Sequence, residues 1–296
     1  MPDSHSSLIY SLQWSPDGKF LAMSTPEQFT LWDADANQPH LQLAESWGTL
    51  SWSPDSSLLL TGGQTTIGAT FPISVRSITG EIRAHHGEGA SSWNPHSHQI
   101  AVCPTRNELR IYHPLTGTLT HSLHLTHWIA VTSISWSPDG QWIATAAGNE
   151  AVLTNLASGQ QRILTHTAYV CSLSWSPDSS LITTSTDEEC RATTFQASTG
   201  EVLFHCDHGD EGGPPSPWIH EALWSPDGTH LVTGPGNSGG RLWSSTGELI
   251  RALDLPDAQA YAWHPSGRHF AVLTTRTVFT VPLAPGSPPT ALIHLK

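Results

Sequence analysis

Short apolar stretches separated by polar turns run the length of the chain, and within them apolar and polar residues alternate, as in Ser133-Ile134-Ser135-Trp136. Successive side chains of a strand point to opposite faces, so this alternation marks a half-buried strand. Ser137-Pro138-Asp139-Gly140 follows, and then a second apolar run, Trp142-Ile143-Ala144-Thr145. Proline fixes φ at the first turn position, Asp bonds nearby backbone and Gly accepts a left-handed conformation. The spacing predicts a β-hairpin. Leu181-Ile182-Thr183-Thr184 is the equivalent second strand after Trp175. No run keeps a helical period for more than a couple of turns, so the chain reads as all-β.

The hairpin recurs seven times. Trp14, Trp52, Trp93, Trp136, Trp175, Trp224 and Trp263 are each followed two positions later by proline, at spacings of 38, 41, 43, 39, 49 and 39 residues. Two further strands fit into each repeat, the fourth after a small-residue turn such as Ser198-Thr199-Gly200 or Ser245-Thr246-Gly247. A period of roughly 40–45 residues with four strands is the pattern of a propeller blade, which buries its faces only against its neighbours. One domain over residues 1–296 is expected: a seven-bladed β-propeller of four-stranded antiparallel blades beginning near 8, 47, 88, 130, 169, 219 and 258.

The repeated Trp-Ser-Pro-Asp-Gly hairpin resembles the WD-repeat β-propeller family over about residues 5–295. The literal Trp-Asp pair stands only at Trp32-Asp33; the matching third-strand positions are Tyr112, Phe195 and Trp243, with Arg76, Thr154 and Val281 less like the family. Blade 2 is the least regular. Residues 290–295 supply the fourth strand of blade 7, so closure without an N-terminal strand swap is expected, resting on packing of blade 7 against blade 1. His5, His127 and His166 stand nine residues before their tryptophans and resemble the family's Gly-His site, which implies a structural hydrogen-bond network. His166 with Thr184 or Ser185 and Asp187 has the residue types of a nucleophilic triad; the resemblance instead implies a buried inter-strand network.

Composition narrows the function. A formal charge of −13 with only 12 Lys and Arg leaves no basic stripe for phosphates, so nucleic acid is not an expected partner. Protonating the 18 histidines would move that charge to +5, a change expected chiefly at solvated surface and turn positions. No segment is long and apolar enough for a membrane helix, and Met1-Pro2-Asp3-Ser4-His5 lacks the features of a signal peptide. Cys103, Cys171, Cys190 and Cys206 lack metal-site or disulfide-scaffold spacing and read as reduced thiols. A monomeric cytoplasmic protein without a cofactor is expected. Gly234-Pro235-Gly236-Asn237-Ser238-Gly239 matches a dinucleotide fingerprint, but it precedes a strand rather than a helix and reads as a hairpin turn.

The resemblance implies binding on the face where fourth-to-first and second-to-third strand loops emerge, the top, around the central channel. Ten acids fall in those loops: Glu27, Glu88, Glu150, Asp187, Glu188, Glu189, Asp207, Asp210, Glu211 and Glu221. Trp47, Trp128, Tyr169 and Trp218 lie five to eight residues before a repeat tryptophan, on the same rim. Tryptophan and tyrosine are favoured interface anchors. The candidate binding set is therefore Trp47, Trp128, Tyr169 and Trp218 with Glu150, Asp187, Glu188 and Glu189, for a protein partner or basic peptide. The long connection from Asp207 to Trp218 is expected to overhang this face. The alternative is an enzyme or metal-binding propeller using His205, Cys206, Asp207 and His208, with Asp210 and Glu211 nearby and His85, His86 and Glu88 on another loop; His205 and His208 are its leading metal candidates.

Overall fold

The computed structural model describes residues 11–45, 47–64, 70–187, 191–209, 219–235, 240–255, 257–284 and 287–294. They form seven four-stranded antiparallel sheets, each from four strands consecutive in the chain, and no helix occurs among them. The first strands are Ser11–Trp14, Leu50–Trp52, Ala90–Trp93, Ser133–Trp136, Val170–Trp175, Ile219–Trp224 and Ala258–Trp263. Each ends on its repeat tryptophan. Neighbouring first strands touch all the way round, including the last against the first, which makes them the innermost strands of a closed propeller.

The turn after each tryptophan is held by local chemistry. In blades 1, 2, 4, 5 and 6 the serine hydroxyl donates to the aspartate two residues on, at 2.5–2.6 Å, as in Ser15 to Asp17 and Ser225 to Asp227. The same serine oxygen accepts the amide five residues on, such as Phe20 or His230, at 2.9 Å. Ser56 and Ser179 take the left-handed conformation that glycine adopts in blades 1, 4 and 6. Their hydroxyls accept the amides of Asp17 and Asp139 in the preceding blades, an inter-blade bond that glycine cannot make.

Register is common to all seven blades. The residue seven positions after each tryptophan pairs with the third-strand position singled out in the sequence: Leu21 with Trp32, Leu59 with Arg76, Ile100 with Tyr112, Ile143 with Thr154, Ile182 with Phe195, Leu231 with Trp243 and Phe270 with Val281. The less typical residues therefore occupy true repeat positions. Blade 2 is irregular, with a three-residue first strand and a register shift between Thr61 and Gly63.

Apolar burial lies between the blades. Among the described residues each of the seven junctions has its own cluster, and each cluster contains the repeat tryptophan of the later blade. These tryptophans are 4–9% exposed. Three of their indole N–H groups, at Trp52, Trp175 and Trp263, donate to the carbonyl just before the preceding blade's tryptophan, at Gln13, Ser135 and Leu223. Side chains of one first strand also accept amides of the next, as Ser174 does from Trp224 and Ser51 from Trp93.

Blade 7 is completed by Thr290–His294, which pairs with its third strand Thr277–Pro282. The ring closes through Leu12, Trp14, Leu21 and Met23 packed on Ala260, Ala262, Leu273 and Ile293. His5 and the rest of residues 1–10 lie outside the described residues.

Candidate functional site

Three blades share a buried polar pair under the top face. His127, His166 and His208 enter after the preceding blade's fourth strand, and each Nε2 meets a threonine hydroxyl nine residues after a repeat tryptophan: Thr145 at 2.8 Å, Thr184 at 3.3 Å and Thr233 at 2.6 Å. In blade 6 the same Thr233 oxygen also accepts the Trp243 indole N–H at 2.8 Å, linking first-strand approach, second strand and third strand. Burial lowers the His127 pKa to about 4. It lowers that of His208 to about 3, assisted by the Arg241 charge.

This arrangement bears on the alternative metal reading and on the triad residue types. His208 is not a ligand waiting in a loop; it is 3% exposed and fills the structural position in blade 6 that His127 and His166 fill in blades 4 and 5. His205 is exposed on the fourth strand of blade 5 and bonds Thr193 at 3.1 Å. His85 bonds Ser74 and His86 bonds the Pro114 carbonyl. No group of three metal-ligating side chains forms among the described residues. Of the triad residue types, Thr184 takes His166, Ser185 bonds Ser172 at 2.8 Å, and Asp187 accepts the Tyr169 amide at 3.0 Å.

Trp47 corrects the candidate binding set. It is 3% exposed, stacked on Phe29 at 3.7 Å with the Arg76 guanidinium 4.2 Å from its ring centroid, and its indole N–H donates to Glu45. It is core between blades 1 and 2. Arg76, where blades 1, 3, 5 and 6 carry an aromatic, covers it. Glu221 is likewise not in a loop but within the first strand of blade 6.

Trp128 and Tyr169 stand outside, at 53% and 56% exposed, the largest values for large hydrophobics among the described residues. Alternation places them there: His127 and Val131 are buried around Trp128, while Ala168 and Val170 are buried on either side of Tyr169. The Trp128 indole lies over the Gly148 turn of blade 4, where an added Cβ would meet it at 3.1 Å. Arg106 fixes its base by donating to the Trp128 carbonyl at 3.1 Å. Hydrogen bonds from Val170 to the Gly148 carbonyl and from His166 to that of Asn149 tie the turn to the segment bearing Tyr169. Glu150 follows the turn directly, and Asp187 and Tyr169 exchange hydrogen bonds. Trp128, Tyr169, Glu150 and Asp187 thus belong to one connected surface over blades 4 and 5. Trp218, Glu188 and Glu189 lie outside the described residues, as does most of the long connection.

At the inner wall, first strands of blades 1–5 surround a channel cavity of about 250 Å³ lined largely by Ser, Thr and Gln13. Farther round, Glu221 accepts the Tyr261 amide at 2.8 Å, joining blades 6 and 7. Desolvation raises the Glu221 carboxyl to about 7, with the Tyr261 N–H opposing the rise. Its folded pKa exceeds the unfolded one, so its stabilising share is present below pH 4.5 and lost as pH rises through about 7. Glu221→Gln keeps the acceptor and removes the charge. It should be more stable than the parent by about 3 kcal/mol at pH 8 and equal to it near pH 4.5, in urea unfolding at both pH values. A gap that does not change with pH would contradict a desolvated carboxylate here.

The family comparison follows the same strand plan. The model for the WD domain, G-beta repeat, matches residues 2–33, 117–152 and 158–192. The second and third matches each begin before the fourth strand of one sheet and end within the third strand of the next, around a repeat tryptophan. The chain is a WD-repeat β-propeller. It resembles a B-type cell cycle switch protein, ccs52B, of Medicago truncatula, 28% identical over 159 residues, 50% of this chain and 32% of that protein. Protein FIZZY-RELATED 3 of Arabidopsis thaliana is 29% identical over 159 residues, with the same coverage. Protein hir1 of Aspergillus terreus is 25% identical over 179 residues, 52% of this chain and 17% of hir1. The alignments with these three span a third or less of each relative's length. Within this WD-repeat propeller, the His–Thr pairs stand in blades 4–6, and the exposed Trp128 and Tyr169 on blades 4 and 5.

Proposed function

We propose that this WD-repeat propeller is an interaction scaffold that captures a basic or amphipathic segment of a protein partner on its top face over blades 4 and 5. The observation that carries the proposal is the pair Trp128 and Tyr169, exposed on either side of the Gly148–Glu150 turn with Glu150 and Asp187 beside them. Exposed aromatics supply desolvated anchors, and acids around them favour a cationic partner. The net charge of −13 adds a long-range attraction for such a segment and opposes nucleic acid. A relative named as a cell cycle switch protein fits a scaffold that regulates by binding. Cys103, Cys171 and Cys206 are free thiols, which suits a reducing compartment such as the cytoplasm.

Trp128→Ala and Glu150→Lys should each weaken partner capture by about tenfold, with melting temperatures within about 2 °C of the parent, because neither side chain belongs to an inter-blade cluster. Captured partners that bind both variants as the parent does would place the function elsewhere.

A further inference from the structure

A cavity of about 480 Å³ opens at blade 7, apart from the aromatic surface, within the size range of small-ligand pockets. Its lining includes Leu255, Phe279 and Pro289, with Asp254 and Asp257 on the connection from blade 6 and Arg276 in the turn between the second and third strands. Leu255 is buried and Phe279 half-buried, so the cavity has an apolar wall. The Arg276 turn is held in place: the Thr274 hydroxyl donates to the Thr277 carbonyl at 2.8 Å and accepts the Thr277 amide at 3.0 Å.

The charges are the informative part. All three charged side chains are exposed, and among the described residues no ion pair within 4.0 Å joins Arg276 to either aspartate. Opposite charges therefore line one cavity without closing it. A simple anion would meet two carboxylates, and a simple cation would meet the guanidinium. A ligand matched to this lining carries both signs and an apolar part to cover Phe279 and Leu255.

We propose that this cavity binds the C-terminal residue of a peptide or protein chain ending in arginine or lysine. The terminal carboxylate pairs with Arg276, a planar donor suited to bidentate carboxylate contact. The methylene stem lies on Leu255 and Phe279, and the basic head reaches Asp254 and Asp257. Long basic side chains bury their stems while keeping the head polar, which matches this division of the cavity. The site is separate from the blade 4–5 surface and does not depend on it.

The test uses short fluorescent peptides with a leucine-arginine end, as free acid or amide, and a free acid ending in leucine-glutamine, titrated by anisotropy against the full chain. The free acid ending in arginine should bind about tenfold tighter than either control. Arg276→Gln should erase the preference for acid over amide but keep that for arginine over glutamine. The pair Asp254→Asn and Asp257→Asn should do the reverse. Trp128→Ala should change none of these ratios, so failure of the top-face proposal would leave this one standing. Equal binding of the three peptides, the parent's preferences persisting in the variants, or no binding of the arginine acid at about 1 mM would overturn it.

Discussion

Trp224→Ala should lower the unfolding free energy by about 3–5 kcal/mol, the range for deleting a large buried aromatic. Trp224 is 7% exposed and packs with Ala192, Cys206, Leu231 and Trp243 at the junction of blades 5 and 6. Its indole N–H donates to the Thr183 hydroxyl at 2.9 Å, across that junction. The alanine variant therefore loses transfer energy, leaves a cavity and severs an inter-blade bond at once. Phenylalanine separates these effects. The Trp136 indole N–H is buried without a partner among the described residues, so Trp136→Phe removes an unsatisfied donor, whereas Trp224→Phe removes a satisfied one. Trp224→Phe should cost about 1 kcal/mol more than Trp136→Phe, in urea unfolding followed by circular dichroism. Equal costs would mean that the hydrogen bond to Thr183 contributes nothing net.

Acid should weaken the ring through its buried histidines. His127 and His208 are held neutral, with folded pKa values of about 4 and 3, while the unfolded chain takes up these protons near the ordinary histidine pKa of 6.5. Their stabilisation is thus complete above pH 6.5 and declines as pH falls from there toward the folded values. Each contributes a slope of about 1.4 kcal/mol per pH unit, or about 2 kcal/mol lost by pH 5, and about 4 kcal/mol for the two. Glu221 works in the opposite direction between about 7 and 4.5, so the separate terms are read from single-site variants. His208→Asn should be less stable than the parent at pH 7.5, and that gap should close by about 2 kcal/mol at pH 5. A gap that stays constant with pH would show that His208 does not resist protonation in the folded ring.

The parts legible in the sequence are those with local chemistry. Ser15, Pro16, Asp17 and Gly18 specify a hairpin within four residues, so seven copies located the seven first strands and the blade count. The shared register made Arg76, Thr154 and Val281 readable as repeat positions although none has the family's aromatic. Burial across a blade junction was not legible in the same way. Trp47 and Trp128 both precede a repeat tryptophan by a few residues, yet Trp47 is stacked on Phe29 of the preceding blade and Trp128 lies over a glycine turn of its own. The difference depends on residues outside the local segment. His208 escaped because counting back nine residues from Trp224 lands inside the enlarged connection, on Pro215. Counting forward would have found it: His166 follows Thr165 and His208 follows Asp207, each the last residue of a fourth strand, and Thr184 and Thr233 wait at the same distance after their tryptophans. Glu221 was placed in a loop because a first strand of six residues, instead of three or four, was not apparent from its mixed polarity.

The proposed capture of a basic segment over blades 4 and 5 is tested most directly by selecting a random peptide library on the full chain and counter-selecting on Trp128→Ala combined with Glu150→Lys. The predicted winners carry clustered lysine or arginine beside an aromatic or long aliphatic residue. They should bind the parent at least about tenfold tighter than the double variant and weaken as salt rises from about 50 to 500 mM, because exposed charges are screened over that range. Winners that are acidic or uncharged, or that bind the double variant as tightly as the parent, would contradict the account.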